Sequence, residues 1–276
     1  MPYVSVGEEN SGPIELHYED HGSGSPVVLV HGYPLDAGSW EKQTTALLAA
    51  GHRVIAYDRR GFGQSSRPAV GYDYDTFAAD LDALLGHLDL HDVTLVGFSM
   101  GTGEVTRYLG RYGSERVARA VLLAPVPPFL LLTDDNPEGL PRALFDGFAA
   151  AAAADRPAFM TGFLQAFYNY DVTAGTLVSD ERFRASWNTA TSASAIAAVA
   201  CIPTWLTDFR DDLPAIDVPV LVVQGDADRV LPPEHTGNRL GGLVKDLTDV
   251  VIEGGPHGIV WTHADQVNTA LLDFLA

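Results

Sequence analysis

The sequence predicts an α/β fold in which eight strands form a mostly parallel sheet flanked by helices, with a helical segment inserted before the last two strands. Three observations carry this expectation. Short β-type runs alternate with amphipathic helical patterns, five of the runs are continuously β-branched or apolar, and the alternation breaks off between residues 126 and 214.

Tyr3–Val6, Ile14–Asp20 and Pro26–Val30 are separated by Gly, Asn and Ser turns and read as antiparallel strands leading into the sheet. Arg53–Tyr57, Val93–Val96, Ala120–Leu123, Val220–Val223 and Asp249–Ile252 suit strands covered on both faces. Helices fill the intervals. Asp75 is placed to cap one on which Phe77, Leu81, Leu84, Leu85 and Leu88 recur at the helical period. Thr102–Tyr112 and His263–Leu275 follow the same pattern, and Thr262 and Asp265 have the spacing of a capping box. Such alternation implies right-handed crossovers between parallel strands. Residues 1–125 and 215–276 are expected to form the core. Residues 126–214, rich in Ala, Phe, Asp and Thr, are expected to form a helical cap in which Ala149–Ala154 is a helix segment.

A chain of 276 residues can bury one substantial core, and a hydrophobic fraction of 46% is ordinary for a globular enzyme. The net charge of −19 excludes a nucleic-acid partner, which requires clustered cations. Lys42 and Lys245 are the only lysines among 17 cationic residues. Cys201 is the single cysteine, which rules out an intramolecular disulfide and a cysteine-rich metal cluster. No pair of histidines has H-x-x-x-H spacing on a helix, so no metal is expected, and no other cofactor is expected. The amino terminus lacks a secretory pattern. The most apolar stretch, Ala120–Leu132, is too short for a membrane span and is broken by Pro125, Pro127 and Pro128. A soluble cytoplasmic protein without a membrane partner is the expectation.

The run Val93–Val96 leads directly into Gly97-Phe98-Ser99-Met100-Gly101, a G-x-S-x-G motif followed by a helical pattern. Serine becomes nucleophilic where a sharp strand-to-helix turn projects its hydroxyl toward a base, and the flanking glycines leave room for that turn. The helix amino terminus also presents the Met100 N–H to a developing oxyanion. A serine helix cap is the plain alternative, and the strand–turn–helix context favours the nucleophile. Val27–Val30 runs into His31-Gly32-Tyr33-Pro34, where Tyr33 can supply a second N–H and Pro34 cannot. His31 reads as a ligand of loop backbone rather than a base.

An acid that orients a histidine is expected after a late strand. Val220–Val223 is followed by Gln224-Gly225-Asp226-Ala227-Asp228, and spacing favours Asp228 only slightly over Asp226. His257, in Gly255-Pro256-His257-Gly258, follows the last strand on a loop with room to approach the serine. His263 competes but falls in the terminal helix. Ser, Asp and His in this chain order, each after a strand, is the order of the α/β-hydrolase arrangement.

Longer motifs narrow the resemblance. HGYPLDAGSW (31–40), YDRRGFGQSS (57–66), YDYDTFAADL (72–81), LVGFSMGTGE (95–104), DDNPEG (134–139) and GGPHGIVWTHADQVN (254–268) resemble the cofactor-free haloperoxidases, or perhydrolases. Within that group the chain is similar to bacterial aryl esterases and, closely, to γ-lactamases. The resemblance implies Ser99 as nucleophile, Asp228 as acid and His257 as base, with Tyr33 and Met100 as oxyanion donors. It implies a small acyl pocket lined by Tyr33, Met100, Trp205, Val230 and Ile259, with Phe129 and Phe163 from the cap. Pro34 matches a proline that accompanies perhydrolysis in this group, and a turn proline is its plain reading. Gln224 departs from the family, where many members carry histidine.

The expected activity is therefore a serine esterase on short-chain esters that also forms peracids from carboxylic acid and hydrogen peroxide. A γ-lactamase or amidase using the same triad is the alternative. A non-catalytic ligand-binding protein is disfavoured by the intact triad, and a dehalogenase or epoxide hydrolase would carry Asp in place of Ser99. A homo-oligomer is compatible with the sequence.

Overall fold

A computed structural model describes residues 2–276. Its strands are β1 (Tyr3–Glu9), β2 (Gly12–His21), β3 (Pro26–Val30), β4 (Arg53–Tyr57), β5 (Val93–Phe98), β6 (Val117–Leu123), β7 (Val220–Gly225) and β8 (Leu247–Ile252). They form one eight-stranded sheet in the order β1-β2-β4-β3-β5-β6-β7-β8. β1 and β2 form a hairpin whose two turn residues, Asn10 and Ser11, both adopt positive φ, as a two-residue turn between twisted strands requires. β2 pairs antiparallel with β4, and the remaining pairs are parallel.

One strand assignment is corrected. Pro26–Val30 belongs to the parallel centre of the sheet, between β4 and β5, not to an antiparallel lead-in. Val27, Val28, Leu29 and Val30 are all fully buried, so burial on both faces outweighs the short turns that precede the strand.

Among the described residues ten α-helices cover and extend the sheet: α1 (Glu41–Ala49), α2 (Tyr74–His87), α3 (Met100–Tyr112), α4 (Arg142–Ala154), α5 (Arg156–Tyr168), α6 (Tyr170–Thr173), α7 (Asp180–Ser192), α8 (Ala195–Thr204), α9 (Ile259–Thr262) and α10 (Ala264–Leu275). Phe77, Ala78, Leu81, Leu84 and Leu85 turn one face of α2 into the core. Each such side chain contributes roughly 1.5–3 kcal/mol on burial. The cap of α2 is Asp73, whose Oδ1 accepts the Thr76 N–H at 2.9 Å. Asp75 lies inside the first turn and pairs instead with Arg107 and Arg111 of α3. Thr262 and Asp265 form no capping box, because Thr262 closes α9 and its hydroxyl is bonded to Gly258 O and His263.

Between β6 and β7 the chain runs through α4 to α8. The Ala149–Ala154 run ends α4, and Asp155 starts α5 at once by accepting the Ala158 N–H at 3.0 Å. α5 stops at Asn169, which takes a left-handed conformation and donates its side-chain amide to Ala227 O at 2.8 Å. Phe167 O, in the same last turn, accepts the Gly258 N–H at 2.8 Å. One helix end therefore ties the loops after β7 and β8 together. Among the described residues no helix is long and apolar enough to cross a membrane.

Candidate active site

The loops after β3, β5, β7 and β8 meet at the carboxyl edge of the sheet, where ligands of open α/β sheets bind. Ser99 sits between β5 and α3 with φ 52° and ψ −122°, a conformation L-residues rarely adopt and one that costs on the order of 1–3 kcal/mol. Hydrogen bonds hold it there. Its N–H donates to Leu123 O at 2.8 Å, and its carbonyl accepts from the Thr102 N–H at 2.8 Å and hydroxyl at 2.6 Å. The flanking glycines are sterically obligatory. A Cβ on Gly97 would lie 2.6 Å from Gly101 O, and one on Gly101 would collide with Val30 O.

Ser99 Oγ lies 2.8 Å from His257 Nε2, and His257 Nδ1 lies 2.7 Å from Asp228 Oδ2. Asp228 offers Nδ1 an acceptor, so Nδ1 carries the proton and Nε2 faces the serine hydroxyl as acceptor. The other oxygen of Asp228 accepts the N–H groups of Val230 and Leu231 at 2.9 and 2.8 Å, which fixes the carboxyl toward the imidazole. Phe98 and Phe167 pack against the imidazole at ring separations of 5.2 and 5.1 Å. All three polar residues are buried.

Asp226 is engaged elsewhere: its Oδ1 accepts the Gly254 N–H at 2.7 Å and so braces the loop that carries His257. Gln224, the departure from the family pattern, clamps the loop that carries Asp228. Its amide donates to Leu231 O and Thr236 Oγ1 at 2.8 and 3.0 Å, and its Oε1 accepts the Gly237 N–H at 3.1 Å.

Tyr33 follows β3 in a turn closed by the Leu35 N–H on Gly32 O at 3.0 Å. The Tyr33 and Met100 N–H groups have no hydrogen-bond partner among the described residues. The Tyr33 hydroxyl donates to Ala198 O at 2.7 Å, and burial pushes its pKa well above the ordinary value. Its ring stands edge-on to Trp205 at 4.9 Å and to Phe163 at 5.5 Å. His31 is bound at both nitrogens, with Nδ1 donating to Gly32 O at 2.9 Å and Nε2 accepting the Arg59 N–H at 3.0 Å. Burial, and then the Arg59 charge, hold its pKa well below the ordinary value, which keeps the ring neutral.

Sequence reasoning missed a network behind this loop. Arg59 Nη2 donates to His31 O at 2.9 Å, Arg59 Nε to Glu104 Oε2 at 2.6 Å, and the Tyr57 hydroxyl to Glu104 Oε1. All four residues are buried. The signal was two arginines, Arg59 and Arg60, one residue beyond the end of β4 and a glutamate inside an otherwise small or apolar face of α3.

A cavity of about 500 Å³ opens onto Ser99. Tyr33, Met100, Trp205, Val230 and Phe163 line it. Three expectations are corrected. Ile259 is fully buried behind His257, whose carbonyl accepts its N–H at 2.9 Å, and it does not reach the cavity. Phe129 lies beneath the Arg210 guanidinium at 4.9 Å and is likewise outside the lining. Pro34 is buried and is not among the residues that line the cavity. Nor is the cavity small. Leu144, Phe145 and Phe148 of α4 and Phe159 of α5 extend it well beyond the serine. No cluster of His, Cys, Asp and Glu suited to a metal occurs among the described residues.

The profile of the alpha/beta hydrolase fold family matches residues 25–264. The chain belongs to that family. A Synechocystis sp. protein assigned to the non-heme chloroperoxidases is 62% identical to this hydrolase over 275 residues, covering 100% of both chains. A bifunctional esterase/perhydrolase of Acinetobacter calcoaceticus is 35% identical, covering 100% of this chain and 99% of its own. The crystal structure of a bromoperoxidase from Bacillus anthracis superposes with a TM-score of 0.95 at 45% identity, with 99% of each chain covered.

Proposed function

We propose that this hydrolase cleaves carboxylic esters through an acyl-enzyme on Ser99, and that hydrogen peroxide can replace water in the second step to give a peracid. The observation that carries the reading is the relay from Ser99 Oγ through His257 to Asp228, at 2.8 and 2.7 Å, beneath two unpaired N–H groups and facing an apolar cavity. The similarity to a non-heme chloroperoxidase and to an esterase/perhydrolase supports the choice of reaction.

His257 takes the Ser99 proton as Oγ bonds to the substrate carbonyl carbon, and Asp228 stabilises the imidazolium that forms. The oxyanion is received by the N–H groups of Tyr33 and Met100, each such donor typically worth about 3 kcal/mol. Collapse breaks the bond to the alcohol oxygen, which leaves with the proton from His257. Water, deprotonated by His257, then releases the acid and returns the proton to Ser99. Hydrogen peroxide in its place yields R–CO–OOH, which oxidises a halide ion in solution to hypohalous acid and leaves the carboxylate. Pro34 acts here by fixing the backbone that carries the Tyr33 N–H and carbonyl. Residues 126–214 serve as the cap that closes the cavity.

Ser99→Ala is expected to lower hydrolysis of p-nitrophenyl acetate by on the order of 10⁴-fold or more, and to remove peroxide-dependent bromination with it. Bromination that persists in this variant overturns the peracid route.

A further inference from the structure

The cavity over Ser99 is far larger than the acetyl group that short-chain ester hydrolysis requires. An apolar cavity of about 150 Å³ already accommodates benzene, whereas this one holds about 500 Å³. Its walls are apolar almost throughout, and the one charged residue on them, Arg229, is half-exposed and paired with Asp171 at 2.7 Å. Water filling such a space would find few partners. Leu144 and Phe148, two of the large apolar side chains left exposed on the molecule, belong to this lining.

The shape follows from α5. Ala158, Gly162 and Ala166 recur every four residues and put their smallest face on the cavity, with Phe159 and Phe163 beside them. From Ala158 to Ala166 the helix rises about 12 Å at roughly 1.5 Å per residue, which sets the length of this wall. A Cβ added to Gly162 would meet nothing within 4 Å. The wall is therefore open rather than packed.

We infer that the acyl group of the substrate is a medium-length hydrocarbon chain of about eight carbons, held along the α5 wall. This rests on the esterase reading above and narrows its substrate class. The acyl side is favoured over the alcohol side by the order of events. The alcohol must leave and water or peroxide must enter while the acyl group stays bound to Ser99, so an enclosing apolar wall serves the group retained through both half-reactions.

The test is a series of p-nitrophenyl esters from acetate to dodecanoate, with a parallel series of alkyl acetates. Burial of each methylene predicts a rise in kcat/KM of about fourfold per CH₂, continuing to about the octanoate and then levelling. Gly162→Leu and Ala166→Leu shorten the wall and are expected to cut the octanoate-to-acetate ratio of kcat/KM at least tenfold. That ratio does not depend on how much of a variant folds. A wild-type profile that falls beyond butanoate overturns the inference, as does a chain-length gain confined to the alkyl acetates; in both cases the esterase reading stands. Loss of activity on every ester overturns that reading as well.

Discussion

Glu104 lies in the second turn of the helix that begins at Met100, fully buried and away from the cavity, yet it is bound into the proposed oxyanion site from both sides. Its own helix presents the Met100 N–H. Through Arg59 it also reaches His31, which is bonded to Gly32 O next to the Tyr33 donor. A buried pair of this kind is costly to break, because the remaining charge is stranded in a medium that cannot solvate it. Glu104→Gln is expected to lower the unfolding free energy by about 3–5 kcal/mol. Denaturant unfolding measures this, and a loss under about 1 kcal/mol would show Arg59 to be satisfied without its partner. The folded fraction is expected to show a lower kcat with KM little changed, since the oxyanion donors act mainly in the transition state.

At the scale of the element, the turn from β5 to α3 works only because three chain segments pass within contact of one another. Gly97 approaches the Gly101 carbonyl, and Gly101 approaches the end of β3 at Val30. Gly101→Ala introduces a better helix former but drives a methyl group into backbone that has no freedom to retreat. It is expected to destabilise the fold by about 1–3 kcal/mol or more and to displace Ser99. Reduced reaction with a fluorophosphonate probe, alongside a lowered thermal midpoint, is the expected outcome; a normal labelling rate would mean that β3 can yield. α5 acts over a longer range. Its carboxyl end holds the loops of Asp228 and His257 through Asn169 and Phe167, and its middle forms the cavity wall. One helix thus bears on the catalytic geometry and on the space for substrate.

For the whole molecule the dominant feature is the net charge of −19. Self-repulsion of that size weakens as carboxyl groups take up protons or as salt screens them. Asp36 adds a local contribution of the same sign. Burial, and then the neighbouring Asp58, raise its pKa to about 6, although the Gly38 N–H donates to it. The unfolded carboxyl ionises near 4, so between about pH 4 and 6 the native state binds more protons than the unfolded state, and stability falls as the pH rises through that window. The thermal midpoint is expected to be higher near pH 5.5 than near pH 8. Asp36→Asn should narrow that difference, and added salt should raise the midpoint more at the higher pH. A midpoint that increases steadily from pH 5.5 to 8 would contradict both effects.

The sequence by itself determined the class of fold, the eight strands and the serine and histidine of the relay, because each depends on local pattern. Apolar runs make buried strands, and glycine and proline mark the loops that follow them. The choice of Asp228 over Asp226 lay outside that reach. Both follow the same strand, so local spacing left them nearly equal; the family resemblance pointed to Asp228, and the tertiary pairing gives Asp228 to His257 and Asp226 to Gly254. The same holds for the parallel placement of β3, the Glu104–Arg59–His31 network and the size of the cavity. The resemblance implied Ile259 and Phe129 as lining, but which way a side chain turns is decided by what packs on its far side. Ser99, the proposed nucleophile, was therefore legible in the chain, whereas the space in front of it exists only where α4 and α5 line the cavity.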